Sequence, residues 1–322
     1  MDIPTSEHTK KRTDNSNTSP GKNRNEREAN TIPHVKLLSR ILHIIEATRA
    51  AQVWKEAPQH HRATMLAAGG PGTGSIWASG YGSSNELLPN AHWLVAVNER
   101  LGALSSQTER TCMAVKDAST EETCGAKLTP EAHHPHVCKA GTVRLRPHGN
   151  LASTLARLMR EAGAAVDMER YIPHLYDTTT KDGVTKQREA IMDVVIHFPG
   201  SWTNALVDVS IRCPHAERYK NASTEVSIAA LAGEREKAER YGQEVQPLIF
   251  ETYGRLGSRS LTTLQSLADS SAVAGKASTR RLAGWRKQLE RAVVWSAAES
   301  VLLSLGAGAH HFLYSSTASP PD

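Results

Sequence analysis

The stretch Ile191–Tyr219, IMDVVIHFPGSWTNALVDVSIRCPHAERY, decides the fold. Two apolar runs rich in β-branched residues flank a Pro199-Gly200-Ser201 turn, the pattern of two adjacent strands at about 190–198 and 204–212. Each run holds one acid, Asp193 and Asp208. An ionised carboxylate is costly inside an apolar strand. An antiparallel hairpin would bring both to one end of the sheet, where they repel each other unless a cation lies between them. Hard oxygen donors suit Mg2+, which keeps coordination positions open and stabilises charge on a phosphoryl oxygen. The competing reading is structural. Strand-end aspartates cap turns or pair with arginine, and Arg212 and Arg218 are close by in the chain.

Working outward, Leu151, Leu155 and Leu158 share one face of a helix over about 148–163, stopped by Gly163. A strand follows at about 166–172, then a turn at Lys181-Asp182-Gly183. Downstream, about 214–241 reads mainly as helix, about 245–252 as a strand, and about 258–273 and 277–304 as helices. The order helix, three strands, helix, strand predicts a mixed α/β (α+β) core: a small mixed sheet flanked by helices. Helices are added on the N-terminal side, over about 33–66 (Leu37, Leu38, Ile41, Ile44, Ile45 on one side) and about 90–104 with Asn90 as N-cap. The glycine-rich run from Gly69 to Ser84 lacks Gly-Lys-Ser/Thr and reads as a connector.

The chain has 322 residues, 39% of them hydrophobic, enough for one good-sized core with helical additions. A net charge of +5 leans mildly toward a polyanionic partner. The first 32 residues are polar and hold six Lys/Arg against five Asp/Glu, so they read as a disordered tail and not as a basic arm. The expected organisation is this tail, a helical segment over 33–104, a cysteine–histidine loop over 105–147, the α/β core over 148–257, C-terminal helices over 258–308 and a second tail over 309–322. No apolar run reaches membrane-spanning length and no signal-peptide core is visible, so a soluble, intracellular protein is expected. Lys10-Lys11-Arg12 hints at nuclear import. Four cysteines in such a chain point to metal more than to disulfides.

Three of these cysteines, Cys112, Cys124 and Cys138, lie in the loop with His133, His134 and His136. Three thiolates and one imidazole would close a tetrahedral Zn2+ site and hold a loop poor in apolar residues. Eleven residues separate Cys112 from Cys124, wider than tight zinc spacings, and the three histidines compete for the fourth position. Lys139, Arg144, Arg146 and His148 follow, a set that could contact phosphates or form an ordinary basic loop. Cys213 reads as a small core residue within a strand. In GEREKAERY (233–241), Lys237 lies just before the helix ends at Gly242 and could lean over the two acids. The bland reading of this run is a solvated face with i,i+4 pairs such as Glu236–Arg240. In the last helix, Leu282, Trp285, Leu289 and Val293 form a packing stripe, with Arg280, Lys287 and Arg291 elsewhere on the helix.

The pattern Asp193 … Leu-Val-Asp208-Val-Ser-Ile … Glu-Lys237-Ala-Glu-Arg-Tyr241 resembles the restriction-like endonuclease, of PD-(D/E)XK type, in the C-terminal region of non-LTR retrotransposon polyproteins. The resemblance covers roughly residues 68–270 and is strongest over roughly 188–257. Ser210 stands at the usual lysine position, and the lysine is supplied from the next helix as Lys237; Met192 stands where most members have proline. The resemblance implies a restriction-endonuclease-like sheet and a Mg2+- or Mn2+-dependent endodeoxyribonuclease that nicks target DNA. Asp193 and Asp208 would hold the metal, Lys237 would assist the attacking water, and Glu169 matches an upstream acid. It also implies a structural Zn2+ knuckle of Cys112, Cys124, His133 and Cys138, and DNA contacts from Lys139, Arg144, Arg146 and His148. DNA is the implied partner, with element RNA as a further candidate. The alternative is a catalytically inactive nucleic-acid-binding remnant of the same element.

Overall fold

Four strands form the central sheet, three antiparallel neighbours in chain order with the last strand added parallel at one edge. In the computed structural model, residues 33–70, 73–74, 88, 90–101, 110–116, 122–129, 133–181, 184–200, 204–271 and 277–306 are described. The chain divides into two compact units, Met1–Glu56 and Ala57–Asp322. Both expected tails lie outside the described residues, as does the glycine-rich connector apart from residues 69–70 and 73–74.

The first unit contributes helix α1 (Pro33–Glu56). The helix expected over about 33–66 is broken at Ala57-Pro58: proline lacks the N–H the helix needs and disfavours helical geometry in the residue before it. The second unit begins with α2 (Gln59–Ala68) and α3 (Asn90–Arg100). Next come two short antiparallel strands, β1 (Arg110–Thr111) and β2 (Lys127–Leu128), and a one-turn helix α4 (His134–Val137). Helix α5 (Gly141–Glu161) starts seven residues earlier than expected and carries Pro147 inside it.

The sheet follows. Strands β3 (Ala165–Lys181) and β4 (Val184–His197) form a hairpin far longer than the pattern suggested, with its register shifting between Ile172 and Tyr176. Strand β5 (Ala205–Arg212) pairs antiparallel with β4, and β6 (Val245–Glu251) pairs parallel with β5. The β5–β6 crossover runs through helix α6 (Ile228–Tyr241), preceded by a series of turns from 214 to 227 where the sequence predicts helix. Helices α7 (Ser258–Ser270) and α8 (Ala277–Leu305) complete the unit.

Strand alternation decides which layer each residue joins. Val194, Ile196, Val207 and Val209 face a core shared with Leu151, Leu155 and Met159 of α5, Leu264 and Leu267 of α7, and Trp285, Leu289 and Val293 of α8. Leu206 lies in the opposite layer, with Val195, Val245 and the partly buried Tyr241 of α6. The expected mixed α/β class and the packing stripe of the last helix are thus both present.

Two buried glutamates tie the helix starts to this frame. Glu251, at the end of β6, accepts the Ala229 and Ala230 N–H groups at 3.0 and 3.2 Å, capping α6. Glu234 accepts the Ser260 N–H and hydroxyl at 2.8 and 2.7 Å, at the start of α7. Helix N-termini leave such donors unpaired and favour negative charge.

Candidate functional site

The β4–β5 ladder ends at the pair Val194↔Val207. One step further in the same register, Asp193 lies across from Asp208. There the strands part, and Asp193 Oδ2 accepts the Val209 N–H at 2.7 Å. A side chain thus takes a backbone donor beside the point where pairing stops. The two carboxyls lie within hydrogen-bonding reach of each other. Alternation turns Asp208 toward α6, where Lys237 Nζ donates to its Oδ2 at 2.7 Å. Asp208 is 4% exposed and Lys237 9%. His148, on α5, donates from Nε2 to Asp193 Oδ1 at 3.0 Å.

These neighbours set the protonation of the group. Burial pushes the Asp208 carboxyl up to about 6, with Lys237 opposing and the Asp193 charge reinforcing the rise. Burial also works against ionisation of Asp193, yet its hydrogen bond from His148 and the Val209 N–H hold it below the usual carboxylate range. The Asp193 bond in turn raises His148.

A cleft of about 810 Å3 opens beside the lysine, lined by Lys139, His148, Ser210, Arg212, Arg218 and Lys237 among others. Asp193, Asp208 and Lys237 therefore meet, and His148 joins them through Asp193 instead of standing apart on a basic loop. Lys139 is exposed on the cleft wall. Arg146 pairs with Glu299 at 3.2 Å and lines a separate groove with Arg157 and Trp295. The Arg144 side chain lies outside the described residues. Glu169, across from Asp193 in the β3–β4 register, is exposed and has a left-handed backbone at φ 50°.

The cysteine loop holds the second constellation. Cys112, Cys124, His134 and Cys138 offer ligand atoms all within 4.8 Å of one another. The fourth ligand position is therefore His134, not His133. Residue His133 takes a left-handed conformation (φ 42°, ψ 29°), which sends neighbouring side chains in different directions. The His134 Nε2 comes to 3.4 Å from Cys124 Sγ. His133 instead stacks on His215, centroids 3.4 Å apart, and its Nδ1 accepts the Tyr253 hydroxyl at 3.2 Å. Burial pulls His133 down to about 3, a neutral packed imidazole. His136 pairs with Glu99 at 2.5 Å.

The donor set fits zinc. Tetrahedral Zn2+ with its usual bond lengths spaces two sulfurs about 3.8 Å apart and a sulfur and a nitrogen about 3.5 Å apart. Cys112 and Cys138 sulfurs are 3.9 Å apart, beside the 3.4 Å Cys124–His134 approach. Gly125, at φ 70°, makes the turn that lets the Ala126 N–H reach Cys124 Sγ; the Ala140 N–H does the same for Cys138. Burial pushes the Cys138 thiol up to about 12, so thiolates crowded here need a cation. Among the described residues this is the one cluster of three or more such ligands; the aspartate pair supplies two carboxylates. Cys213 lies just past β5, not within a strand, and is buried.

No family model matches the chain, and no curated protein matches it. Among the described residues, no helix is long and apolar enough to cross a membrane.

Proposed function

We propose that the protein is a metal-dependent DNA endonuclease derived from a non-LTR retrotransposon, acting in the nucleus, with Asp193, Asp208 and Lys237 as its chemical centre. The observation that carries this reading is the meeting of two carboxylates from adjacent strands with a lysine from the following helix, beside a cleft lined by cations. The sequence resemblance to the restriction-like endonuclease points the same way.

Two carboxylates held side by side suit Mg2+, which binds one or two acids and otherwise substrate phosphate and water; the open cleft is lined by their partners Lys237 and His148. A bound Mg2+ or Mn2+ would polarise the phosphoryl oxygen and lower the cost of forming hydroxide. Asp193, kept ionised by His148 and the Val209 N–H, is the fixed ligand of the pair. Asp208 is the responsive one, since its charge is sustained by Lys237 alone until a cation arrives. Released from Asp208, the Lys237 ammonium would orient the attacking water and offset charge gathering on the phosphorus oxygens. The cysteine knuckle, with zinc bound, would fix Lys139 and the start of α5, and so His148, against the cleft.

The test is nicking of supercoiled plasmid in Mg2+ or Mn2+. Wild type should nick, Asp208→Ala and Lys237→Ala should not, and all three should bind DNA. A second reading, a binding-only remnant, is favoured by the 2.7 Å Lys237–Asp208 and 3.0 Å His148–Asp193 contacts, which satisfy both acids without metal. It predicts DNA binding with no nicking by wild type in either metal.

A further inference from the structure

Three arginines from three separate segments converge on one carboxylate beside the cleft. Arg212 closes β5, Arg218 lies in the turns after it, and Arg240 is in the last turn of α6. Arg212 Nη1 is 3.1 Å and Arg218 Nη1 3.8 Å from Glu236 Oε2, while Arg240 Nη2 is 3.4 Å from Glu236 Oε1. Three guanidinium groups thus gather on a single carboxylate at this spot.

The Arg212 side chain is held in place. It is 14% exposed, and among the described residues its buried Nε has no hydrogen-bond partner. Its stem runs under α6 where Gly233 makes room: a Cβ at Gly233 would lie 3.2 Å from Arg212 Nε, 3.3 Å from its Cγ and 3.0 Å from Ile249 Cγ2. Arg218 is half exposed and stacks on the Tyr219 ring at 4.8 Å. Although burial works against Glu236, Arg212 and then Arg218 and Arg240 hold it below its usual range. Arginine clusters of this kind recognise phosphate oxygens through paired N–H donors.

The position matters as much as the charge. Arg212 follows Asp208 by four residues on β5 and shares its face, about 13 Å along the strand. Arg212, Arg218, Glu236 and Arg240 line the same cleft as Lys237. A DNA strand whose scissile phosphate sat at Asp208 would carry a neighbouring phosphate past the arginines.

We propose that Arg212, Arg218 and Arg240 form a subsite for a non-scissile DNA phosphate, and that the Glu236 carboxylate fills it as an internal stand-in until DNA displaces it. This rests on the nuclease reading for the path of the strand. The alternative is an ordinary surface ion-pair network.

The test uses the full chain and a short DNA duplex in Mg2+-free buffer, with affinity measured across a salt series. Glu236→Gln removes the competitor and should tighten binding about two- to fivefold at low salt. Arg218→Gln, at a half-exposed site that tolerates change, should flatten the slope of log affinity against log salt by about 0.9. Unchanged or weaker binding by Glu236→Gln, an unchanged slope for Arg218→Gln, or no DNA binding by wild type overturns the subsite. Plasmid nicking separates this failure from that of the nuclease reading. Nicking that depends on Asp208 with unaltered salt slopes ends only the subsite; the expected slopes without nicking end only the nuclease.

Discussion

Replacing Asp208 with asparagine should stabilise the protein at neutral pH. Burial raises this carboxyl from 3.8 to about 6 despite the lysine 2.7 Å away. Its ionised form is thus worse off in the folded protein than in the unfolded chain. The proton count gives the sign: between about pH 4 and 6 the folded state holds a proton that the unfolded state has released, so stability falls as pH rises through that window. A carboxyl raised from 3.8 to about 6 loses about 3 kcal/mol above its folded pKa. Asparagine keeps the shape of the protonated acid and escapes this loss. The variant should therefore exceed wild type by about 3 kcal/mol near pH 7.5 and by about half that near pH 5. For a unit of this size that is about 6–12 °C in Tm at the higher pH. His148, whose pKa its Asp193 bond raises, contributes stability present at low pH and lost as pH rises through its folded value. Asp208 also contributes to that rise, so the variant loses part of it, and the difference between the two proteins reads Asp208 together with its effect on His148. The assay is urea unfolding in Mg2+-free buffer at the two pH values. A variant less stable than wild type near pH 7.5 would refute the reasoning, because the ion pair with Lys237 would then outweigh the burial of the acid. Added Mg2+ should raise the Tm of wild type and leave the variant nearly unmoved.

Three further outcomes follow from the packing. His134→Ala should abolish Zn2+ binding measured by elemental analysis while His133→Ala keeps it, and a chelator should lower the Tm of His133→Ala but not of His134→Ala. Gly233→Ala should cost about 1–3 kcal/mol in urea unfolding, because the Cβ meets Ile249 and the Arg212 stem; a gain in stability, as helix propensity alone demands, would contradict the tight contact. Glu234→Ala should cost about 2–3 kcal/mol by the same measurement, since the Ser260 N–H and hydroxyl lose a buried acceptor; no change would mean the α7 start is satisfied otherwise.

The central sheet was legible because its cues are local. Strand alternation, the Pro199-Gly200 turn and the leucines of α5 each span fewer than about ten residues, and hydrophobic periodicity reads such windows well. The meeting of Asp193, Asp208 and Lys237 followed from the same alternation plus one helix. The His133/His134 choice turned on a single left-handed backbone residue, and no composition signal marks that conformation on histidine. The sequence pattern places the start of α5 too late because Pro147 reads as a boundary, whereas the helix runs through it. The arginine group escaped notice for a different reason. Its members come from β5, a turn and α6, and the segment 214–227 that folds Arg218 back itself reads as helix in the sequence. Glu236–Arg240 alone was visible, as a routine i,i+4 pair.

Asp193 serves two masters. Its Oδ2 satisfies the Val209 N–H at the fork between β4 and β5, whereas Asp208 accepts from the Lys237 ammonium. Loss of catalysis would therefore free the two acids unequally. In a lineage that stopped cutting DNA, Asp208 could drift to a neutral residue and gain stability, while Asp193 would still be needed to close the fork. On the nuclease reading proposed above, a related chain with the first acid intact and the second replaced would be one that had given up cutting and kept its fold.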